Sequence, residues 1–227
     1  MKISKLIATS AVSLVLAAGA SQATTLKLVD GGTAGNFVGG SIPGGTATNE
    51  LLGPLGLSSS LAGWFGSAVE LTGTGVLVAE FYGWEAGFKN DFNINGSEAF
   101  TTASGGNLMT TPIGSPIATW TSGVVNGGMG TLIDFSFDTD SDAYTIANGS
   151  ENIGVRGFFA SVDGDAKAKQ GSAIWLFLDD SGAGPDDNHD DMAIRLSVQV
   201  PVPAAGFLLV GALGGLAALR RRKKKTA

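Results

Sequence analysis

Cysteine is absent from the 227 residues, and histidine occurs once, as His189. Thiol catalysis, Cys-ligated zinc and iron–sulfur clusters are thereby excluded, as are metal sites built from several histidines. Disulfides cannot brace the fold, so its stability must come from a packed core or from bound ions. Positive charge is nearly missing from the middle of the chain. All 20 acidic residues lie between Asp30 and Asp191, whereas eight of the 14 cations sit in the first five and last eight residues. Only Lys27, Lys89, Arg156, Lys167, Lys169 and Arg195 remain, which leaves residues 24–199 with a net charge of −14. A surface of that sign disfavours nucleic acid and anionic lipid as partners and attracts multivalent cations.

Catalytic signatures are equally scarce. A Ser-His-Asp triad would have to use His189, which stands among aspartates, and no Gly-x-Ser-x-Gly elbow is present. Gly127-Gly128-Met129-Gly130 carries no lysine and no helical pattern follows it, so it is not a phosphate loop. Glycosidases work through two suitably spaced carboxylates, but with 20 acids to choose from no pair stands out. The expectation is a non-enzymatic protein with no catalytic residues.

Long apolar runs are confined to the two ends. Met1–Ala23 has Lys2 and Lys5, an apolar core from Leu6 to Ala20, and the small-x-small triplet Ser21-Gln22-Ala23. That order is a secretory signal peptide, with cleavage expected after Ala23. At the other end Val200-Pro201-Val202-Pro203-Ala204 leads into an apolar run reaching Leu219. The cations Arg220, Arg221, Arg222, Lys223, Lys224 and Lys225 follow directly. Sixteen apolar residues rise about 24 Å as a helix, marginally short of the roughly 30 Å hydrocarbon core. The basic end holds such a helix with its C-terminus in the cytoplasm, so everything before it lies outside the inner membrane.

This tail resembles the C-terminal sorting signal of the PEP-CTERM class, in its VPLPA-type variant. Val200, Pro201, Pro203 and Ala204 match the motif, and Val202 stands where leucine is usual. The resemblance covers about a tenth of the chain and concerns sorting alone. It implies processing by an exosortase, a membrane cysteine protease, near the Pro-containing motif. It also implies a surface or extracellular-matrix protein associated with exopolysaccharide and biofilm.

The remaining 24–199 segment reads as one all-β domain. Glycine accounts for 35 residues, and Asn-Gly or Asp-Gly pairs recur at Asp30, Asn95, Asn126, Asn148 and Asp163 as hairpin-turn signals. Strand-like stretches are Thr25–Val29, Gly75–Tyr82, Ile117–Val125, Thr131–Asp138, Ala143–Ala147, Ile153–Val162, Ala173–Leu178 and Met192–Val200. In Thr131–Asp138, Ile133, Phe135 and Phe137 share one face, the mark of a half-buried strand. Ile174-Trp175-Leu176-Phe177-Leu178 is apolar on both faces and predicts a central strand. Thr48–Phe65 fits a short helix or an irregular loop equally well, while Gly31–Gly45 and Thr101–Pro116 read as surface loops. About eight strands at this spacing predict an antiparallel sandwich, jelly-roll-like in type.

One connection stands apart. Between the strands Ala173–Leu178 and Met192–Val200, residues 179–191 hold six aspartates in thirteen positions. Two readings fit. Asp179, Asp180, Asp186, Asp187, Asn188, Asp190 and Asp191 are candidate ligands for a structural calcium ion, which prefers carboxylate, amide and carbonyl oxygens. Otherwise the segment is a solvated acidic turn that blunts edge pairing. Asp186, Asn188 and Asp190 have the alternate spacing of calcium loops. Asp191 and Ser197 then stand where an EF-hand needs Gly and Glu, so an EF-hand is rejected. A companion cluster, Glu85–Asn93, reads either as a well-packed turn or as a source of extra oxygen ligands for the same ion, with Phe88 and Phe92 anchoring it in the core while Glu85, Asn90 and Asp91 face outward. Trp64 and Trp84, beside loops, keep open a carbohydrate-binding module as the alternative function, with a secreted glycan-active enzyme as a second.

Overall fold

The computed structural model describes residues 23–29, 33–36, 48–58, 61–103, 106–109, 115–139, 143–149, 156–162, 168–181 and 188–200. The signal-peptide segment 1–22, most of the sorting tail (201–227), Asp186 and Asp187 lie outside them. Among the described residues there are fourteen strands and no helix. In chain order they are β1 (Thr25–Val29), β2 (Thr33–Asn36), β3 (Ala62–Phe65), β4 (Ala68–Ala86) and β5 (Asp91–Ile94). Then come β6 (Ser97–Thr101), β7 (Gly106–Met109), β8 (Ala118–Leu132), β9 (Phe135–Thr139) and β10 (Tyr144–Ala147). The last four are β11 (Gly157–Val162), β12 (Gln170–Gly171), β13 (Ala173–Asp179) and β14 (Met192–Gln199).

The strands form two antiparallel sheets. One runs β12-β1-β4-β14-β13-β11-β3-β2, with β7 and β8 also on β4, and the other runs β10-β9-β5-β6. The nineteen-residue β4 is the spine of the larger sheet. One of its edges takes β1 along Ala68–Thr72 and β14 along Val76–Gly83. The opposite edge takes β8 along Glu70–Phe81 and β7 along Gly83–Ala86.

Alternation explains how the sheets meet. Phe92 and Ile94 of β5, Phe100 of β6, Phe135 and Phe137 of β9 and Ile146 of β10 all point inward and are buried. They share one core with Leu77, Ala79, Phe81, Phe158, Leu176 and Ile194 of the larger sheet. Ring pairs span the gap: Phe81 stacks on Phe100 at 5.6 Å, and Phe158 meets Phe135 edge-on at 5.6 Å. Each such pair adds about 0.5–1.5 kcal/mol beyond the area it buries. The arrangement is an all-β sandwich.

The outer face of the larger sheet is covered too. Leu51, Leu52 and Leu55 pack with Tyr82, Phe159, Trp175, Phe177 and Ala193 in a second apolar cluster. That cover is why β13 is apolar on both faces, and β13 lies inside the sheet between β11 and β14, as its sequence predicts. Thr48–Phe65 resolves into an irregular turn, tied by Leu55 N–H to the Leu51 carbonyl (3.0 Å), followed by β3.

Several expectations are corrected. Thr101–Pro116 contains β7 and Gly31–Gly45 contains β2, because short Gly-rich stretches can still complete a ladder beside a long neighbour. The Asn126-Gly127 pair is no hairpin turn. It sits inside β8, where the register against β4 is irregular near Gly73 and Thr74. By contrast Asn95 (φ 52°) and Gly96 (φ 70°) form the two-residue left-handed turn between β5 and β6 that an Asn-Gly pair favours. Thr131–Asp138 is divided at Ile133-Asp134, where the chain leaves β8 in one sheet for β9 in the other.

Candidate functional site: the buried acidic connection

The segment joining β13 to β14 begins and ends inside the protein. Asp179 and Asp190 have no exposed surface, and Asp180, Asn188, His189 and Asp191 are also buried. A solvated acidic turn does not describe these residues. They are drawn inward because β13 and β14 are interior strands paired from Ala173 to Leu178, so the connection starts in the middle of the sheet.

Main-chain and amide donors stitch the connection to three other segments. Asp191 Oδ2 accepts the N–H of Asp180 at 2.8 Å, and Asp179 Oδ1 accepts that of Ser181 at 3.0 Å. From the turn before β3, Glu50 N–H donates to Asp190 Oδ2 at 2.7 Å. Asn49 Nδ2 donates to the carbonyls of Asn188 (3.0 Å) and His189 (2.8 Å), while its Oδ1 accepts the N–H groups of Leu51 and Leu52. From the end of β4, Glu85 N–H reaches the Asp190 carbonyl at 2.8 Å. Asn90 Nδ2 donates to Asp180 Oδ2 at 2.7 Å.

His189 is held in the left-handed region (φ 53°), a conformation that costs a non-glycine residue and persists where neighbours over-determine it. Its ring stands edge-on to Phe65 at 5.3 Å, with Nδ1 3.5 Å from Asp179 Oδ2. The result is a rigid frame around crowded carboxylates. Burial, then the charges of Asp180, Asp179 and Asp190, push the Asp191 carboxyl up to about 10, against the opposing hydrogen bond from Asp180 N–H.

The companion cluster does reach the same place, but not in the orientation its sequence suggested. Asn90 and Asp91 are buried rather than outward-facing, and Phe88 is exposed while Phe92 is fully enclosed. Asn90 is turned inward because Thr102 receives its main chain on both sides, through Oγ1 (2.8 Å) and its own N–H (2.8 Å). Its Oδ1 is buried with no hydrogen-bond partner, beside the amide nitrogen that binds Asp180. An oxygen acceptor left unsatisfied next to carboxylates is a deficit of positive charge or donors.

Of the seven candidate ligands, Asp179, Asp180, Asn188, Asp190 and Asp191 are therefore brought to one buried region, and Asp186 and Asp187 fall outside the described residues. Among the described residues, no group of three or more His, Asp or Glu side chains is arranged to hold a metal ion. Asn49, which donates two of the hydrogen bonds that tie the connection down, escaped the sequence reading. Its signal is an Asn two residues before the Leu51-Leu52 pair, a position from which its side chain accepts their N–H groups and caps a turn.

Trp64 and Trp84 are half-buried. Lys169 Nζ lies 3.9 Å over the Trp64 ring, and Trp84 stacks on Phe81 at 5.8 Å, so both rings already have partners. A cleft of about 190 Å³ opens where β8 and β4 meet the β5–β6 turn, lined by Leu71, Leu77, Asn95, Asn126, Leu132 and Asp134 among others. It shares no residue with the acidic connection.

Together these features define a class: an antiparallel all-β sandwich with a buried acidic connection between two interior strands. No family model, curated protein or solved structure matches the chain.

Proposed function

We propose that this is an exported, non-enzymatic protein of the cell surface or extracellular matrix, whose acidic β13–β14 connection takes up calcium. The observation that carries the calcium reading is the burial of Asp179, Asp180, Asp190 and Asp191 together with the unpartnered Asn90 Oδ1. Asp180, Asp179 and Asp190 each repel a charged Asp191, and a divalent cation relieves such repulsion with ligands it prefers. Asp186, Asp187 and Asn188 are further candidate ligands, the first two outside the described residues. Within the all-β class the sandwich is assigned to the jelly-roll-like type, a reading supported by neighbours distant in sequence such as β4 and β14.

Export and sorting rest on the two ends of the sequence. Met1–Ala23 directs secretion, and the PEP-CTERM-like motif Val200–Ala204 hands the protein to an exosortase while the following helix holds it in the inner membrane. Val200, the first residue of the motif, is exposed directly after β14. The matrix role, with exopolysaccharide as partner and biofilm as setting, follows from the kinship of the tail. The carbohydrate-binding alternative is weaker, since Lys169 already lies over one face of the half-buried Trp64 ring and Phe81 stacks on one face of the half-buried Trp84 ring.

Intact-mass measurement of the protein recovered outside the cells tests the sorting. The mature mass is expected to begin at Thr24 and to lack Arg220–Lys225. A mass that retains those six cations would overturn the processing and leave only an anchor.

A further inference from the structure

We propose that Asn95 is a site of spontaneous covalent modification, where the folded protein loses ammonia through a cyclic imide and gains aspartate or isoaspartate in the β5–β6 turn. The chain holds three Asn-Gly pairs, at Asn95, Asn126 and Asn148. In each, the following residue has no Cβ to shield its main-chain nitrogen. Once hydroxide has taken its proton, that nitrogen attacks Cγ of the Asn side chain. A new C–N bond closes a five-membered imide, and the side-chain nitrogen takes a proton from water and leaves as ammonia. Water then opens the ring at either carbonyl. One opening gives aspartate, and the other gives isoaspartate, whose main chain runs through the side-chain carbons. No electrons are transferred, and water is the co-reactant.

This chemistry is common to the three pairs, so the fold decides among them. Asn148 is clamped. Its Oδ1 accepts the Val69 N–H (2.8 Å), and its Nδ2 donates to the carbonyls of Val69 (2.8 Å) and Ile133 (2.7 Å). Turning its Cγ toward the Gly149 nitrogen breaks these bonds, and each opposes the turn by a factor of roughly two to ten. Asn126 lies inside β8, paired with Thr74. Its Oδ1 accepts the Gly128 N–H (3.0 Å) and the Thr74 hydroxyl (3.2 Å). Gly127 after it is buried, with its main chain pressed against the Leu71 carbonyl.

Asn95 has none of these restraints. It is exposed at the tip of the hairpin, and its side chain makes no hydrogen bond to the described residues. Its N–H donates to the Asp134 carbonyl at 2.8 Å, which fixes the entry to the turn, but the β5–β6 ladder ends at Ile94 and Ser97. Gly96 stands outside that ladder, with open space where a Cβ would sit. Bringing its nitrogen to Cγ therefore moves the turn tip alone. Either product adds a carboxylate to the cleft that Asn95 and Asp134 both line. Isoaspartate also lengthens the main chain of a two-residue turn whose length sets the β5–β6 register. The site is remote from the acidic connection and independent of the calcium reading.

Peptide mapping by mass spectrometry tests this, on the protein recovered from exporting cells and aged at mildly alkaline pH, one sample folded in calcium buffer and one in concentrated urea. In the folded sample Asn95 is expected to convert at least about tenfold faster than Asn126 or Asn148. In urea the three should convert within about threefold of one another, because the clamps are gone and only the shared Asn-Gly chemistry acts. Asn95→Gln, which cannot close the five-membered ring, should remove the early phase of ammonia release from the folded protein and leave the slow one. Conversion of Asn126 or Asn148 that keeps pace with Asn95 in the folded protein would overturn the proposal. So would a preference for Asn95 that persists undiminished in urea, or early ammonia release that survives Asn95→Gln.

Discussion

Asp191 accepts the N–H of Asp180, yet burial and the charges of Asp180, Asp179 and Asp190 still push its carboxyl up to about 10. The unfolded chain releases that proton near the ordinary aspartate value of 3.8, so between the two values the folded state binds more protons than the unfolded one. Stability contributed by this group is full below about 4 and drains away as pH rises toward 10. In chelator, the protein is therefore expected to lose stability from pH 5 to pH 8, with a ceiling of about 1.4 kcal/mol per pH unit from this residue. Asp191→Asn keeps an oxygen for the Asp180 N–H and removes the charge, and it should flatten that slope. Urea midpoints measured across the pH range would check both statements, and a slope of the opposite sign would refute the first.

At the level of the element, two glycines separate the effects of shape and of packing. Gly63 in β3 lies against β11, and a Cβ there would run into the Ala160 carbonyl and the Phe159 ring. Gly96 in the β5–β6 turn has open space around it but a φ of 70°. Gly63→Ala is expected to destabilise by about 2–3 kcal/mol through overpacking, and Gly96→Ala by only about 1 kcal/mol through backbone strain. Equal losses in denaturant titrations would contradict that ranking. Elements of this kind were unevenly legible. β9 and β13 could be read because their side chains either alternate or are apolar throughout, and the Asn95-Gly96 turn because its residues need a left-handed backbone. The Asn126-Gly127 pair misled because the same residues also suit an irregularity within a strand, and only the partner strand decides between them. β2 and β7 were invisible, since Thr-Ala-Gly-Asn and Gly-Asn-Leu-Met owe their strand form to the ladders they join.

Across the whole molecule, the core divides into two clusters on opposite faces of the larger sheet, and the acidic connection is tied to both. Asn49 and Glu50 link it to the turn that supplies Leu51, Leu52 and Leu55 to the outer cluster. Asn90 links it to β5, whose Phe92 belongs to the inner one. The run of aspartates was plain in the sequence, but their burial was not, because it depends on β13 and β14 both being interior strands. The involvement of Asn49 and Asn90 is likewise a matter of contacts made 139 and 90 residues apart. An ion held in this connection would brace the turn, the β4–β5 loop and the two interior strands at once. The most direct measurement is the thermal midpoint of the protein in calcium and in chelator at neutral pH. With calcium near 100 times its dissociation constant, the midpoint should rise by roughly 5–11 °C, and Asp180→Asn should abolish most of that rise. Equal midpoints in calcium and chelator would contradict the account.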